Sequence, residues 1–310
     1  MKRFAMKDYG KAEDVLIEIE SEARSLDDTH VRVELKAFAI NPYDVALRQG
    51  AMRDFRTLKF PYVLGNDGAG IVTEVGSEIT HIEVGDDVIV HAVGGTYGEE
   101  VVVPGKKVIK KPVSMSWEVA AGAVTPWLTT YNLVMHLLGG TIGETVMVQG
   151  ASGAVGSLLV QFLKNQGKTV LASASKRNET LVRQLGADQF AAYDEEDAGK
   201  IFADQADTVI DATKGGRAGE SGMQIMKAGG NFVALNNLPS DQKKAGKYIS
   251  FGPSKDYSDF EALTALIELA NDIHLTIAEV LPFTLSSVVM GHEKLEGHPS
   301  AGKIIIKREE

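Results

Sequence analysis

The sequence predicts a two-part α/β protein, in which a small strand-built barrel or sandwich accompanies a doubly wound parallel sheet. Three observations predict it. The first third carries short β-branched runs bounded by Gly, Asp and Pro. From about Glu144 the chain alternates short apolar strands with helical segments. At 310 residues it is too long for one ordinary core and suits two.

Taken in order, VRVELKAFAI (31–40) sets Val31, Val33 and Leu35 on alternate positions, the signature of a half-buried strand. GIVTEVG, DDVIVH and EEVVVPG follow as further short strands. Near Ser116 the texture changes. SWEVAAGAV and PWLTTYNLVMHLL read as helical, with Ser116 as N-cap and Glu118 in the first turn. TVMVQ is then a strand, and SLLVQFLKNQ a helix stopped by Gly167. TVLAS is a strand, and ETLVRQL a helix stopped by Gly186. QFAAY, DTVID and NFVAL are further strands, their short apolar runs suiting a parallel sheet covered on both faces. From about Tyr257 the order is helix, strand (AEVLPF), helix, strand (GKIIIK).

Between TVMVQ and its helix lies Ala151-x-Gly153-x-x-Gly156, preceded by Gly150. It differs from the dinucleotide fingerprint G-x-G-x-x-G in its first residue. Gly153 lets backbone approach a pyrophosphate, and Gly156 lets helix pack on strand. The N–H groups of 153–155 (Gly153, Ala154, Val155) open the helix and suit phosphate oxygens. A tight corner in any α/β protein is the plainer alternative, but the strand before and the helix after favour the dinucleotide. An NAD site places an acid about 20 residues on, at the end of the second strand. Here that stretch reads Ser173, Ala174, Ser175, Lys176, Arg177, with no acid before Glu179. Cations pair with a 2′-phosphate, whereas a carboxylate repels it. The reading is therefore NADPH rather than NADH.

Composition narrows the function classes. Lys plus Arg number 32 against 42 Asp plus Glu, a net charge of −10, which argues against nucleic acid or an anionic membrane as partner. No apolar run reaches the ~18 residues of a membrane span, and the start, MKRFAMKDYG, has no signal-peptide core. With no Cys there is no disulfide, thiolate nucleophile or thiolate metal site. The expectation is a cytoplasmic protein.

Five stretches in register resemble one family: AINPYDVALRQG (39–50), FPYVLGNDGAGIVTEVG (60–76), VGDDVIV (84–90), QGASGAVG (149–156) and HEKLEGHPSAGKIII (292–306). Together they cover nearly the whole chain and are similar to the zinc-free quinone oxidoreductases, the zeta-crystallin-like branch of the medium-chain dehydrogenase/reductase superfamily. The resemblance implies a GroES-like β-barrel catalytic domain from 1–125 and 256–310, and a Rossmann domain at 126–255. It also implies a cofactor cleft and homodimers paired through the cofactor domains. Zinc-dependent relatives carry Cys where this chain has Asn41, and Gly-His-Glu where it has Gly65-Asn66-Asp67. The seven His (30, 81, 91, 136, 274, 292, 298) show no ligand spacing. No metal is expected, and a quinone or conjugated carbonyl needs less electrophilic help than an alcohol oxidation would.

The resemblance puts Asn41, Tyr43 and Asp44 beside the nicotinamide. Asn41 and Tyr43 would hydrogen-bond an acceptor oxygen, and Asp44 would bond cofactor or brace the loop; Tyr43 packed as an aromatic after Pro42 is the alternative. It puts Thr129 near the nicotinamide ribose, Tyr193 near the adenine, and Asn236 and Phe251 near the nicotinamide. Asp211, ending DTVID, is structural on this reading. The function implied is hydride transfer from NADPH to a small-molecule quinone or related acceptor. An alkenal or enone double-bond reductase is the near alternative, and a non-catalytic NADPH-binding sensor or structural protein the alternative of another class.

Overall fold

The computed structural model describes residues 1–22, 24–297 and 301–309. His298 and the rest of 298–300, inside the fifth motif, lie outside the described residues. The chain divides into two compact units. The first is Met1–Thr125 with Asp259–Asn271 and Ile277–Glu310, and the second is Pro126–Ser258 with Asp272–Thr276.

The first unit is built of strands. Its larger sheet runs Ile277–Pro282, Lys303–Lys307, His30–Ile40, Asp67–Val75, Asp87–His91, Val108–Lys110, with Glu100–Pro104 also on His30–Ile40. Pairing is antiparallel except for the parallel pair formed by 277–282 and 303–307. The alternation read from VRVELKAFAI is the inside–outside alternation of this strand. Val31, Val33 and Leu35 are buried with Val72, Val88, Val90, Val101, Val103 and Val108 in one apolar cluster. A second cluster joins Phe4, Phe38, Leu64, Tyr97, Ile304 and Ile306. Phe4 belongs to a small antiparallel sheet, Leu16–Glu20, Lys2–Met6, Tyr62–Val63. Among the described residues no helix is long and apolar enough to cross a membrane.

The second unit is a six-stranded, wholly parallel sheet in the order Gln189–Ala192, Thr169–Ala174, Thr145–Gln149, Ala206–Asp211, Met226–Ala234, Gly246–Ser250. In chain order this is 3-2-1-4-5-6, the doubly wound dinucleotide-binding topology. Burial is nearly complete along the inner strands (Val146, Met147, Val148, Val209, Ile210, Phe232, Val233), as expected of strands covered on both faces. Ligands of such sheets bind outside the carboxyl ends where the order reverses, here between 145–149 and 206–211. The Ser116 cap is present, its Oγ accepting from Val119 N–H at 3.3 Å ahead of the helix Trp117–Tyr131. The three strands of the small sheet, the short strand Val108–Lys110 and Gly246–Ser250 are not expected from the sequence. The latter lies at a sheet edge and is mostly exposed or half-exposed, so no apolar run marks it.

Candidate functional site

At the reversal point the strand Thr145–Gln149 turns at Gly150, whose φ of +77° favours a residue without Cβ. The turn is pinned to the next strand, because Gly150 N–H and Ala151 N–H both donate to Ser173 O at 3.0 Å. Gly153 N–H closes the turn on Gly150 O at 3.0 Å. The helix Ala154–Asn165 then begins with Gly153 at its N-cap and no side chain capping it. The N–H groups of its first turn lack intrahelical acceptors and carry the positive end of the helix dipole. A Cβ on Gly156 would stand 2.2 Å from Gly150 O, so this glycine holds helix against turn. A Cβ on Gly153 would meet only Gly150 O, at 3.3 Å, so that flank is open. An uncapped helix start with an open flank, at the carboxyl edge of the first strand, fits a pyrophosphate.

The second strand supplies the neighbouring wall. Ser173 and Ser175 are buried, while Lys176 and Arg177 are exposed. Asn178 Nδ2 bridges Ser152 Oγ and Ser175 Oγ, both at 3.0 Å, tying the glycine turn to the Ser-Lys-Arg segment. Lys176 Nζ pairs with Glu179 at 2.7 Å, and Glu179 also holds Arg183 at 2.9 Å. Arg177 carries no ion pair among the described residues. An acid not expected from the sequence comes in from the third strand's end, where Asp194 Oδ1 accepts Lys176 N–H at 2.8 Å. Asn178 and Asp194 are the residues this corner adds; the partners of Asn178 at 152 and of Asp194 at 176 are set by the fold. Tyr193 is 63% exposed, and its N–H extends the pairing to Ala174 O at 3.1 Å.

Past the fifth strand, Asn236 Nδ2 donates to Thr213 O, past the fourth, at 2.8 Å. Phe251 N–H donates to Ala234 O at 2.9 Å, and its ring stacks on Tyr257 at 6.2 Å between centroids. Asp211 is buried; its Oδ1 accepts from Thr213 N–H and Oγ, and burial raises its carboxyl above the usual range. Thr129 is half-buried on the helix Trp117–Tyr131 and shares no hydrogen bond with the glycine turn among the described residues.

In the first unit, Asn41 ends the strand His30–Ile40 and caps the helix Pro42–Arg48, with Pro at the first helical position. Its N–H donates to Asp44 Oδ2 at 2.8 Å, and Asp44 N–H donates back to Asn41 O at 3.0 Å. Antiparallel registers place Ala39 opposite Asp67 and Ile40 opposite Ile304, so Asn41, Asp67 and Lys303 meet. Asn41 Nδ2 donates to Asp67 Oδ2 at 2.9 Å, and Lys303 Nζ donates to Asn41 Oδ1 at 2.5 Å. Both ends of the Asn41 amide are thus taken internally. Thr125 Oγ1 completes Asp67 at 2.6 Å.

Asp44 is 1% exposed, and burial pushes its carboxyl up to about 7 against the Asn41 N–H and Lys303, with Asp67 adding to the rise. Burial likewise lowers the Lys303 ammonium, opposed by Asp67 and Asp44. A buried chain continues from here: Tyr97 Oη meets His292 Nε2 at 3.1 Å, and Arg48 Nε donates to His292 Nδ1 at 3.3 Å. Arg48 in turn pairs with Glu296. A guanidinium only donates, so His292 Nδ1 accepts and Nε2 carries the proton toward Tyr97. Burial, then the Arg48 charge, pushes His292 down to about 3. Tyr43 is half-buried beside this group, its Oη accepting from Arg56 Nη1 at 3.1 Å. Among the described residues no three His, Cys, Asp or Glu side chains gather so as to hold a metal ion.

Known proteins resemble the chain along most of its length. Residues 27–113 match the family "Alcohol dehydrogenase GroES-like domain", and residues 185–306 match "Zinc-binding dehydrogenase". The chain is 27% identical over 317 residues to 2-methylene-furan-3-one reductase of Solanum lycopersicum, covering 99% of this chain and 79% of that protein. It is 29% identical over 239 residues to polyketide synthase GfsB of Streptomyces halstedii, covering 76% of this chain but only 4% of that much longer protein. Among solved structures, the quinone oxidoreductase from Coxiella burnetii superposes with a TM-score of 0.83 at 25% identity, covering 99% of both chains. A strand-built unit, a 3-2-1-4-5-6 parallel sheet with a glycine turn at its reversal point, and two dehydrogenase family matches that together span most of the chain lead to one assignment: the chain is an oxidoreductase of the medium-chain dehydrogenase/reductase superfamily, similar over nearly its whole length to a quinone oxidoreductase.

Proposed function

We propose that the chain is an NADPH-preferring reductase that delivers hydride to a quinone or a related conjugated carbonyl. The observation that carries this reading is the uncapped helix start behind Gly153, walled on one side by the exposed cations Lys176 and Arg177. When bound, the nicotinamide nucleotide supplies the hydride; the residues of this chain hold, orient and complete the charge balance.

The N–H groups of Ala154 and Val155 take the pyrophosphate, with Gly153, whose own N–H closes the turn on Gly150 O, letting the backbone come close to it; Ser173, Ser175, Lys176 and Arg177 take the 2′-phosphate end. Tyr193 lies by the adenine; Thr129, Asn236 and Phe251 serve the nicotinamide end. Tyr43 donates its hydroxyl proton to the acceptor oxygen as negative charge builds there. Asn41, with both ends of its amide taken internally, and Asp44, buried and accepting the Asn41 N–H, hold the segment carrying Tyr43. The working form in this proposal is a homodimer, as the resemblance implies, placed in the cytoplasm, as the composition suggests, with a monomeric sedimentation profile as the contrary result.

A quinone and a conjugated enone both collect charge on an oxygen after hydride arrives, so the same donor serves both. With NADPH and a panel of 1,4-benzoquinone, naphthoquinones and 2-alkenals, oxidation of NADPH is expected with at least one class. The ratio of benzoquinone to alkenal turnover decides between quinone and double-bond reduction. Tight NADPH binding with no turnover on the whole panel contradicts the reductase reading and favours a non-catalytic binder.

A further inference from the structure

The loop after the helix Pro42–Arg48 sets one guanidinium between two phenols. Arg56 Nη1 donates to Tyr43 Oη at 3.1 Å, and Nη2 donates to Tyr62 Oη at 2.7 Å. The guanidinium carbon also lies 5.4 Å from the centre of the Tyr62 ring. Tyr62 is fixed in its turn: its O–H donates to Val93 O at 3.4 Å, and its Oη rests against Gly94, where a Cβ would come within 2.1 Å. Arg56 has no ion pair among the described residues. In MRDFR the sequence offers no sign of this arrangement, since the stretch reads as a solvated charged loop.

A guanidinium has five donors and no acceptor, and it stays protonated at any working pH. Both phenol oxygens therefore accept from Arg56, and each phenol proton must go elsewhere. The Tyr62 proton goes to the Val93 carbonyl. The Tyr43 proton finds no acceptor among the described residues. Tyr43 thus becomes an obligate outward donor with a fixed positive charge behind its oxygen.

We propose that Arg56 is a positioning residue: it fixes the Tyr43 hydroxyl as a donor to the acceptor oxygen, with Tyr62 anchoring it from behind. The inference rests on the reading in which Tyr43 faces the acceptor. It implies that the site prefers ligands whose oxygen is, or becomes, anionic. It also implies that Arg56 and Tyr43 act as a unit, so their effects do not add.

The test uses 4-nitrophenol, whose phenolate stands in for the developing oxyanion and whose absorbance reports binding without turnover. Its affinity is measured for the full chain and for Arg56→Met, Arg56→Lys, Tyr43→Phe and the Met/Phe double variant, each checked for an unchanged melting temperature. Arg56→Met and Tyr43→Phe are each expected to weaken phenolate binding by about ten- to a hundredfold, the worth of a hydrogen bond to a charged group. The double variant should lose no more than the worse single. Arg56→Lys should recover part of the loss, since a lysine keeps the charge but not the fork. With a turned-over acceptor, Arg56→Met should lower kcat by about tenfold or more and leave the KM for NADPH unchanged. Unchanged phenolate binding in Arg56→Met, or losses that add in the double variant, would overturn the proposal. If the phenolate pattern holds while the wild-type chain reduces no acceptor, the reductase reading falls and the Arg56–Tyr43 unit stands. If acceptors are reduced and Arg56→Met is silent in both assays, the opposite is concluded.

Discussion

Gly156→Ala is expected to abolish nicotinamide-nucleotide binding and to lower the melting temperature, whereas Gly153→Ala should weaken binding and leave stability nearly unchanged. The distinction follows from what each new methyl meets. At 156 it would stand 2.2 Å from Gly150 O and 2.9 Å from Ala151 Cα, all backbone. That backbone has no room to yield, because Gly150 and Ala151 are both bonded to Ser173 O. Such overpacking costs roughly 1–3 kcal/mol, or about 2–12 °C for a unit of this size. At 153 the φ is −73°, which alanine adopts freely, and the nearest atom is 3.3 Å away. A methyl there costs the fold little and stands where a pyrophosphate would approach the amides. Thermal scans with and without NADPH check both: equal stability losses in the two variants, or full NADPH stabilisation of Gly153→Ala, would contradict the assignment of the turn.

The second large effect concerns Asp44. Its carboxyl stands at about 7 in the folded chain against 3.8 for a free side chain. The folded state therefore holds its proton more tightly than the unfolded state. The sign follows: the contribution is most favourable below about pH 4 and is lost as pH rises through about 7. Roughly three pKa units correspond to about 4 kcal/mol across that window. Asp44→Asn keeps an oxygen for the Asn41 N–H and removes the ionisation. The difference in unfolding free energy, wild type minus variant, is thus expected to fall by about 1.4 kcal/mol per pH unit between about pH 4 and 7 and to level off above. His292 works the other way. Held down at about 3 against 6.5, it loses stability as pH falls below about 6.5. In the wild-type chain the two slopes oppose each other between about pH 4 and 6.5, so only the difference curve isolates Asp44. Denaturant titrations at several pH values measure it, and a flat difference curve would show that Asp44 titrates like an exposed carboxyl.

Much of the fold was legible because its signals are local. The alternation in VRVELKAFAI, the stops at Gly167 and Gly186, and the strand–glycine–helix order around Gly153 are each set within about a dozen residues. The polar centre of the first unit was legible only in part. Asn41 stood out, but its partners Asp67 and Lys303 are 26 and 262 residues away, and only strand register brings them together. Lys303 sits in GKIIIK, where a terminal lysine reads as a solvated strand end rather than a buried ammonium. Asp194 carries no sign in the sequence of its place beside Lys176, because an acid there is expected along the second strand and this carboxylate arrives from the third. Arg56, in a loop with no periodicity, carried no local sign of its two phenols.

The central claim is that the glycine turn and the adjoining cations seat a phosphorylated nicotinamide carrier. Parallel calorimetric titrations of the full chain with NADPH and NADH test it most directly, repeated on Lys176→Ala/Arg177→Ala. NADPH should bind the wild-type chain at least about tenfold more tightly than NADH, and the double variant should lose about ten- to a hundredfold for NADPH with little change for NADH. Equal or tighter binding of NADH to the wild-type chain, or no binding of either, would contradict the account.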